Sequence, residues 1–177
     1  MSSVRTSPVR APSEASFVRA YIGLGANLGD ARRALLDAAA ELDHLPDTEV
    51  VAVSSLYRSA PVGYAHQPDF INGVAAVDTQ LAPRALLDAL LQLEQDWGRE
   101  RSFRNAPRTL DLDVLLYGDR VVNEHGLHVP HPRLHERAFV LLPLAEIAPA
   151  LVLPDGRAIA DLLPGVADQD ITRIEEE

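Results

Sequence analysis

Residues 108–117 read R-T-L-D-L-D-V-L-L-Y, with apolar and acidic residues in alternation. This alternation predicts a half-buried β-strand, because successive side chains of a strand point to opposite faces of its sheet. The face expected to pack against helices carries Leu110, Leu112, Val114 and Leu116. Asp111 and Asp113 share the other face, roughly 7 Å apart at a rise of about 3.3 Å per residue. Such a pair suits Mg²⁺, although any exposed strand that alternates polar and apolar residues gives the same pattern.

The segments around this strand predict the fold class. Three more short apolar or β-branched runs are typical of strands and lie at 20–24, 49–57 and 70–77. Helices are predicted at 31–45, where Asp30 is the N-cap, and at 83–97. The order β-α-β-β-α-β predicts an α+β, ferredoxin-like core with an antiparallel sheet and both helices on one face. The opposite face of the sheet would then be free for a binding site.

The chain beyond residue 118 is predicted to form a loop-rich C-terminal extension. Its prolines interrupt the apolar stretches and leave room for one or two short helices near 132–147 and a small hairpin around Asp155. The predicted domain organisation is a disordered N-terminal tail at 1–16, a single domain at 17–164 and a frayed acidic tail at 165–177.

Composition excludes several classes of function. The net charge of -10 argues against a general nucleic-acid-binding protein, and no apolar run approaches the roughly 20 residues that span a bilayer. There is no cysteine, which excludes thiolate chemistry, and all 16 basic residues are arginine, which excludes a P-loop lysine. The N-terminus has no apolar segment typical of a secretory signal, so we expect a cytoplasmic protein, and a monomer.

An arginine-rich segment precedes the acidic strand. Four arginines fall within residues 99–108, where little periodicity is present, and a flexible loop is predicted. Guanidinium groups bind phosphate oxygens in pairs, so the segment could close as a lid over a metal–triphosphate complex. Alternatively, it is a solvated loop whose arginines pair with some of the 26 acidic residues of the chain.

Several motifs occur together in one order along the chain. The most specific is R-N-A-P-R-T-L-D-L-D-V-L at 104–115, and the others are Y-I-G-L-G-A-N-L-G-D at 21–30, V-S-S-L-Y-R-S-A-P-V-G at 53–63, Q-P-D-F-I-N at 67–72, V-P-H-P-R at 129–133 and R-A-F-V-L-L-P-L at 137–144. With these motifs the chain resembles the 6-hydroxymethyl-7,8-dihydropterin pyrophosphokinase family over about residues 20–163. The resemblance implies transfer of pyrophosphate from ATP to the pterin hydroxymethyl group, which is a step of folate biosynthesis.

The resemblance also implies a set of site residues. Asp111 and Asp113 would bind two Mg²⁺ ions and would be catalytic residues together with Arg99 and Arg108. The residues implied to bind ATP are Glu94, Arg99, Arg101, Arg104, Arg108, His131 and Arg137. The residues implied to bind the pterin are Ser59, Ala60, Val62, Phe70, Asn72 and Phe139, and Asn27 is expected near the same side. Among these, the two phenylalanines would sandwich the ring and the asparagine would bind its hydrogen-bonding edge.

Each assignment has a structural alternative in the sequence. Phe70 and Phe139 lie in apolar stretches and could be core residues, and Asn72 precedes a glycine and could belong to a bulge or turn. Glu94 could be a surface charge. The closely spaced histidines near His131 could suggest zinc, but the prolines among them prevent a regular helix there.

Two other functions remain open from the sequence. The family commonly has Trp-Gly where this chain has Asn105-Ala106, which affects the aromatic part of the arginine lid. A binding module that holds a pterin or nucleotide without turnover is one alternative. A different Mg²⁺-dependent phosphotransferase on the same fold is the other.

Overall fold

The computed structural model describes residues 16–27, 30–60, 69–101 and 109–174. Eight strands and four α-helices are present in these ranges, with short 3-10 turns at Leu134–Glu136 and Leu163–Val166. In chain order they are β1 (Val18–Asn27), α1 (Ala31–Leu42), β2 (Thr48–Val53), β3 (Tyr57–Ser59), β4 (Phe70–Thr79), α2 (Pro83–Arg101), β5 (Thr109–Tyr117), β6 (Val122–Glu124), β7 (Leu127–Val129), α3 (Ala138–Ile147), α4 (Ile159–Leu162) and β8 (Ile171–Arg173).

The main sheet is antiparallel and has the order β5-β1-β4-β3-β8, with β2 also paired to β4. The single strand predicted at 49–57 is therefore two strands, with a register shift between them. Ser54 lies at the break, and its Oγ accepts a hydrogen bond of 3.0 Å from the Val74 backbone N–H. A side chain thus replaces a main-chain acceptor, which interrupts the regular ladder.

The two long helices cover one face of the sheet, as predicted. Leu35 of α1 and Leu86 and Leu90 of α2 are fully buried against β1, β4 and β5. Asp30 is the N-cap of α1, and its side chain accepts the backbone N–H of Arg33 at 3.1 Å. Each helix differs from its predicted end, since α1 stops at residue 42 rather than 45 and α2 continues to residue 101 rather than 97. The arginines at 99 and 101 consequently belong to the last turn of a helix, and the prediction of a loop there is wrong.

A β-bulge changes which residues of β5 face the helices. Tyr21 pairs with Leu116 but Ile22 pairs with Val114, so Leu115 is an extra residue on β5. Beyond the bulge the alternation is inverted. The prediction that Leu116 faces the helices is therefore wrong: it belongs to a second core on the other face, and Tyr117 turns towards the helices instead.

Helix α3 covers part of the sheet face that was predicted to be free. Its Leu141 and Leu144 are fully buried against Val74 and Leu115. The region of that face beyond the N-terminal end of α3 remains open. The short helices and the hairpin predicted for the C-terminal extension are present, and the hairpin is closed by a bridge between residues 152 and 158.

The C-terminal segment differs from the frayed tail that was predicted. Ile171–Arg173 pairs with β3 and forms the outer strand of the sheet, because its backbone finds an open edge there. Residues 1–15 and 175–177, which cover most of the predicted N-terminal tail and the last acidic residues, lie outside the described ranges. In the described part of the chain, no helix has both the length and the apolar character needed to cross a membrane.

Candidate active site

An open cavity of about 670 Å³ lies on the sheet face beside α3. This volume is typical of sites for small molecules. Strands of the sheet form the floor, and the segment from residue 131 into α3 forms a wall. The lining residues that the sequence analysis singled out are Ser59, Ala60, Phe70, Asn72, Asp111, Asp113, His131, Arg137 and Phe139. The cavity therefore brings together residues from β3, β4, β5 and α3 that are far apart in the chain.

Asp111 and Asp113 project from the same face of β5, as the alternation predicts, and both are exposed in this cavity. Burial by the surrounding walls raises the pKa of Asp111, and the like charge of Asp113 raises it further. Within the described ranges, no group of three or more His, Asp or Glu side chains forms a complete metal-binding cluster. Two carboxylates without further protein ligands fit Mg²⁺, which takes its other oxygens from water and from substrate phosphates.

His131 lines the same cavity as the two carboxylates. Its backbone N–H donates to the Leu115 carbonyl at 3.0 Å, which joins this segment to the bulge in β5. The Arg133 backbone N–H donates to His131 Nδ1 at 3.1 Å, so Nδ1 is an acceptor and Nε2 carries the proton of the neutral ring. Burial lowers the pKa of His131, although the charge of Asp113 opposes this shift. The ring is thus a neutral hydrogen-bond donor through Nε2.

Asn72 and Ser59 form a buried polar pair on the floor. Asn72 Nδ2 donates to Ser59 Oγ at 2.8 Å, and the two residues are only 4% and 8% exposed. Asn72 lies in a regular part of β4, opposite Gly25 of β1 and Tyr57 of β3, so the bulge or turn alternative is wrong. A Cβ at Gly25 would lie 3.5 Å from Asn72 Oδ1, so the glycine keeps that oxygen accessible from the cavity.

The two phenylalanines enter the cavity from different elements. Phe70 begins β4, whereas Phe139 is in the first turn of α3, and both are half-buried lining residues. Phe139 also packs against the second core, so it is both a partly buried core residue and a lining residue of the cavity. The Arg137 guanidinium lies over this ring at 5.4 Å from the centroid, within cation–π distance.

Other predicted site residues do not line the cavity. Glu94 is on α2, where its Oε2 accepts the Leu112 backbone N–H at 2.7 Å and so occupies the outer edge of β5. The pKa of Glu94 is raised overall. Burial is the main cause and the charges of Asp111 and Asp113 add to it, whereas the hydrogen bond from Leu112 opposes the shift. Asn27 is buried at the end of β1 and is not a lining residue.

The structure describes the arginine segment and the pterin pocket only in part. The backbone of residues 99 and 101 is in the last turn of α2. Three predicted site residues lie outside the described ranges, namely Val62, Arg104 and Arg108.

The cavity also has lining residues that the sequence analysis did not assign. They include Gly23, Leu115, Arg133, Glu136 and Gln169. Arg133 falls within one of the quoted motifs, which was a usable signal. Gln169 lies in the segment predicted to be frayed, and its contact with the site depends on the pairing of β8 with β3. No local pattern in the sequence indicated that contact.

The chain is similar to a known protein family. Residues 21–149 match the family model described as 7,8-dihydro-6-hydroxymethylpterin-pyrophosphokinase (HPPK). A Pseudomonas aeruginosa protein named 2-amino-4-hydroxy-6-hydroxymethyldihydropteridine pyrophosphokinase is 50% identical over 156 residues, which cover 88% of this chain and 96% of the relative. A Haemophilus influenzae protein of the same name is 42% identical over 158 residues, which cover 89% and 99%.

A similar fold occurs in a solved structure of Plasmodium falciparum HPPK-DHPS, wild type, with pterin and p-hydroxybenzoate. The TM-score is 0.68 at 15% sequence identity, and the match covers 94% of this chain but only 46% of the longer Plasmodium chain. At this identity the comparison supports the fold alone. The family model and the curated relatives, which match over most of their length, establish that the chain belongs to the 7,8-dihydro-6-hydroxymethylpterin-pyrophosphokinase family.

Proposed function

We propose that the cavity holds 6-hydroxymethyl-7,8-dihydropterin beside Asn72, with the Mg²⁺ of ATP on Asp111 and Asp113. The reaction follows from the family: the chain transfers a pyrophosphoryl group from ATP to the pterin hydroxymethyl group in folate biosynthesis. One observation carries the residue assignment. The register across the sheet places Asp111, Gly25 and Asn72 in a single cross-strand row on the floor of the cavity.

The cross-strand row sets the distance between the two halves of the site. Neighbouring strands lie about 4.8 Å apart, so the backbones of Asp111 and Asn72 are separated by about 10 Å. Gly25 between them has no side chain to obstruct the floor. A flat bicyclic ring can lie over Gly25 with its amide edge at Asn72 and its hydroxymethyl group directed towards the carboxylates.

The recognition of the pterin is proposed to combine stacking with hydrogen bonds. Phe70 and Phe139 offer aromatic surfaces at the two sides of the cavity. Asn72 Nδ2 is engaged by Ser59, which fixes the amide orientation and directs Oδ1 to the ligand. The backbone groups at Ala60 and Val62 would complete this side of the site. Asn27 is not proposed to contact the pterin, because it is buried at the end of β1 and does not line the cavity. A fixed acceptor in a buried position favours a ring with a matching donor edge over one without it.

The nucleotide is proposed to bind on the side of the carboxylates and the basic residues. His131 can donate from Nε2 to a phosphate oxygen, and Arg137 adds a positive charge that it keeps at any working pH. The further residues proposed to bind ATP are Glu94, Arg99, Arg101, Arg104 and Arg108. Since the whole chain has a net charge of -10, a local set of arginines is needed to attract a polyanion.

The transfer step is proposed as an in-line displacement. The pterin hydroxymethyl oxygen forms a bond to the β-phosphorus and loses its proton to water. The bond from that phosphorus to the oxygen that bridges it to the α-phosphate breaks, and AMP leaves with this oxygen. When bound, two Mg²⁺ ions would neutralise the charge on the phosphate oxygens. Asp111 and Asp113 would hold these ions, and the arginines together with His131 would orient the triphosphate for attack.

The direct test uses calorimetry with a non-hydrolysable ATP analogue, with and without Mg²⁺, together with an AMP-release assay. Asp111→Asn and Asp113→Asn should each abolish the Mg²⁺-dependent part of analogue binding and lower kcat/KM by about a hundredfold. Asp119→Asn, in the exposed turn after β5, is the matched control and should behave as wild type. Analogue binding that keeps its full Mg²⁺ dependence in both active-site variants would show that the metal assignment is wrong.

We also propose that the protein is a cytoplasmic monomer with a ferredoxin-like core. The order of β1, α1, β2, β4, α2 and β5 supports this class, and β3 and β8 extend the sheet. ATP is a cytoplasmic metabolite, which favours that compartment. Light scattering at the working concentration tests the monomer, because a mass of twice 19.2 kDa would contradict it.

A further inference from the structure

The side chain of Gln169 connects two parts of the cavity wall. Its Nε2 donates to the Glu136 carbonyl at 2.8 Å, and its Oε1 accepts the Ala138 backbone N–H at 2.9 Å. These are the two residues that flank Arg137 in the chain. Gln169 itself lines the cavity. A single amide therefore holds the backbone on both sides of an arginine that faces the site.

The backbone at Arg137 needs such a partner. Arg137 is the N-cap of α3, with an extended conformation of φ -119 and ψ 114, and it makes no side-chain capping bond. The first amides of a helix have no acceptor within the helix. Gln169 supplies the acceptor for Ala138 from another part of the chain, and it fixes the preceding carbonyl at the same time. The backbone on both sides of Arg137 is thus held by a side chain 32 residues further along the sequence from Arg137.

The segment that carries Gln169 is also anchored to β3, in the floor of the cavity. The Ala60 backbone N–H donates to the Asp170 carbonyl at 3.4 Å, and Ile171 pairs with Ser59. Ser59 in turn accepts the hydrogen bond from Asn72. The C-terminal segment therefore connects the strand at the pterin side of the cavity to the N-terminus of α3.

We infer that Gln169 is a positioning residue for Arg137 and that the C-terminal segment is part of the substrate-binding apparatus. Its two hydrogen bonds hold residues 136–138 so that the guanidinium lies over Phe139 at 5.4 Å and faces the cavity. This inference rests on the proposed role of Arg137 in binding the phosphates of ATP. Loss of the amide leaves Arg137 in place but frees its backbone, which lowers the fraction of molecules with the arginine correctly oriented.

A double-mutant cycle tests the inference in the full-length chain. Gln169→Met keeps the length of the side chain and removes both hydrogen bonds, and it should lower kcat/KM for ATP by about tenfold. Arg137→Ala should lower the same quantity by about a hundredfold. If Gln169 acts through Arg137, it has little left to act on once the arginine is gone. Gln169→Met should then lower kcat/KM by less than about twofold when it is added to Arg137→Ala.

The controls separate positioning from stability and from the proposed function. Gln92→Met removes a surface bond of 2.9 Å to Asp96 on α2 and should leave kcat/KM unchanged. All rates are measured at least 15 °C below the melting temperature of each variant, so that the unfolded fraction is about 1% or less. The inference is overturned if Gln169→Met lowers kcat/KM tenfold in both the wild type and the Arg137→Ala variant, or if it lowers kcat/KM in neither. No effect of Arg137→Ala alone overturns the proposed phosphate role of that arginine.

Discussion

The carboxylate of Glu146 should contribute more to folding stability than any ordinary surface acid of this chain. Glu146 lies near the C-terminal end of α3, and its side chain is 25% exposed. It accepts the Ser55 backbone N–H at 3.0 and 3.1 Å, the Ser55 hydroxyl at 2.8 Å and the Tyr57 hydroxyl at 2.7 Å. This one side chain joins α3 to the segment between β2 and β3. We therefore expect Glu146→Ala to loosen the contact between the second core and the sheet.

The magnitude follows from the three donors that the substitution leaves without an acceptor. Hydrogen bonds to a charged group contribute up to about 3 kcal/mol each, but water reaches this carboxylate, and about 1 kcal/mol per donor is a better estimate. The free energy of unfolding should fall by about 3 kcal/mol. For a chain of this length that corresponds to a decrease of about 6–12 °C in Tm. Tyr57→Phe removes only one of these donors and should lower the free energy of unfolding by about 1 kcal/mol.

The pH dependence of unfolding gives an independent check. Burial alone would raise the pKa of Glu146, but the hydrogen bonds from Tyr57 and Ser55 and the charge of Arg173 outweigh it and lower the pKa. A lowered folded-state pKa stabilises the protein above the unfolded value near 4.5, and this stabilisation is lost as the pH falls below it. Burial and the bond to Glu146 raise the pKa of Tyr57 to about 12, so its contribution is complete below pH 10 and is lost between 10 and about 12.

The assay is urea unfolding followed by circular dichroism between pH 3 and pH 8, with Glu124→Ala as the matched control. Among the described residues, the Glu124 side chain forms one ion pair, an exposed one with Arg84 at 3.2 Å, and its loss should change the free energy of unfolding by less than about 0.5 kcal/mol. The Glu146→Ala variant should also lose less stability between pH 5 and pH 3 than the wild type does. Equal destabilisation by the two glutamate variants would refute the reasoning, as would an unchanged acid dependence.

Three further predictions concern the cavity and the core. Asn72→Ala should raise KM for the pterin by about tenfold and leave the affinity for an ATP analogue unchanged in calorimetry, since only the amide that faces the ring is removed. Gly25→Ala should fold normally but raise KM for the pterin several-fold in steady-state assays, because a Cβ would lie 3.5 Å from Asn72 Oδ1 on the cavity floor. Leu90→Ala should lower the free energy of unfolding by about 3 kcal/mol in urea titrations, because Leu90 is fully buried between α2 and the sheet.

The sequence predicted the parts of this fold that depend on local periodicity. The alternation in β5 correctly placed Leu110 and Leu112 against the helices and the two aspartates on the other face. Asp30, as an N-cap residue, correctly predicted the start of α1. These features follow from side-chain spacing and from capping within a few residues, so no knowledge of distant contacts was needed.

The features that the sequence did not predict depend on contacts between distant segments. The bulge at Leu115 results from pairing with β1, and nothing in the run of leucines at 115–116 shows which of them is the extra residue. The three residues Ile171–Arg173 are too few to show strand periodicity, and they become a strand because β3 offers an edge. Gln169 enters the site only as a result of that pairing. Helix α2 continued past Gly98 because a single glycine lowers helix stability by only about 1 kcal/mol.

The sizes of the side chains along β1 explain why the cavity forms where it does. On the site face, Tyr21 is buried under the second core, whereas Gly23 and Gly25 have no side chains. A Cβ at Gly23 would lie 3.3 Å from Leu115 Cδ2, so this glycine allows the bulged leucine to pack down onto the strand. Side chains of the second core therefore cover one end of β1 and leave the other end uncovered. At the uncovered end the register places Gly23 and Gly25 beside the two aspartates of β5. The two glycines that create this space therefore also set its position relative to Asp111 and Asp113, the carboxylates proposed to hold Mg²⁺.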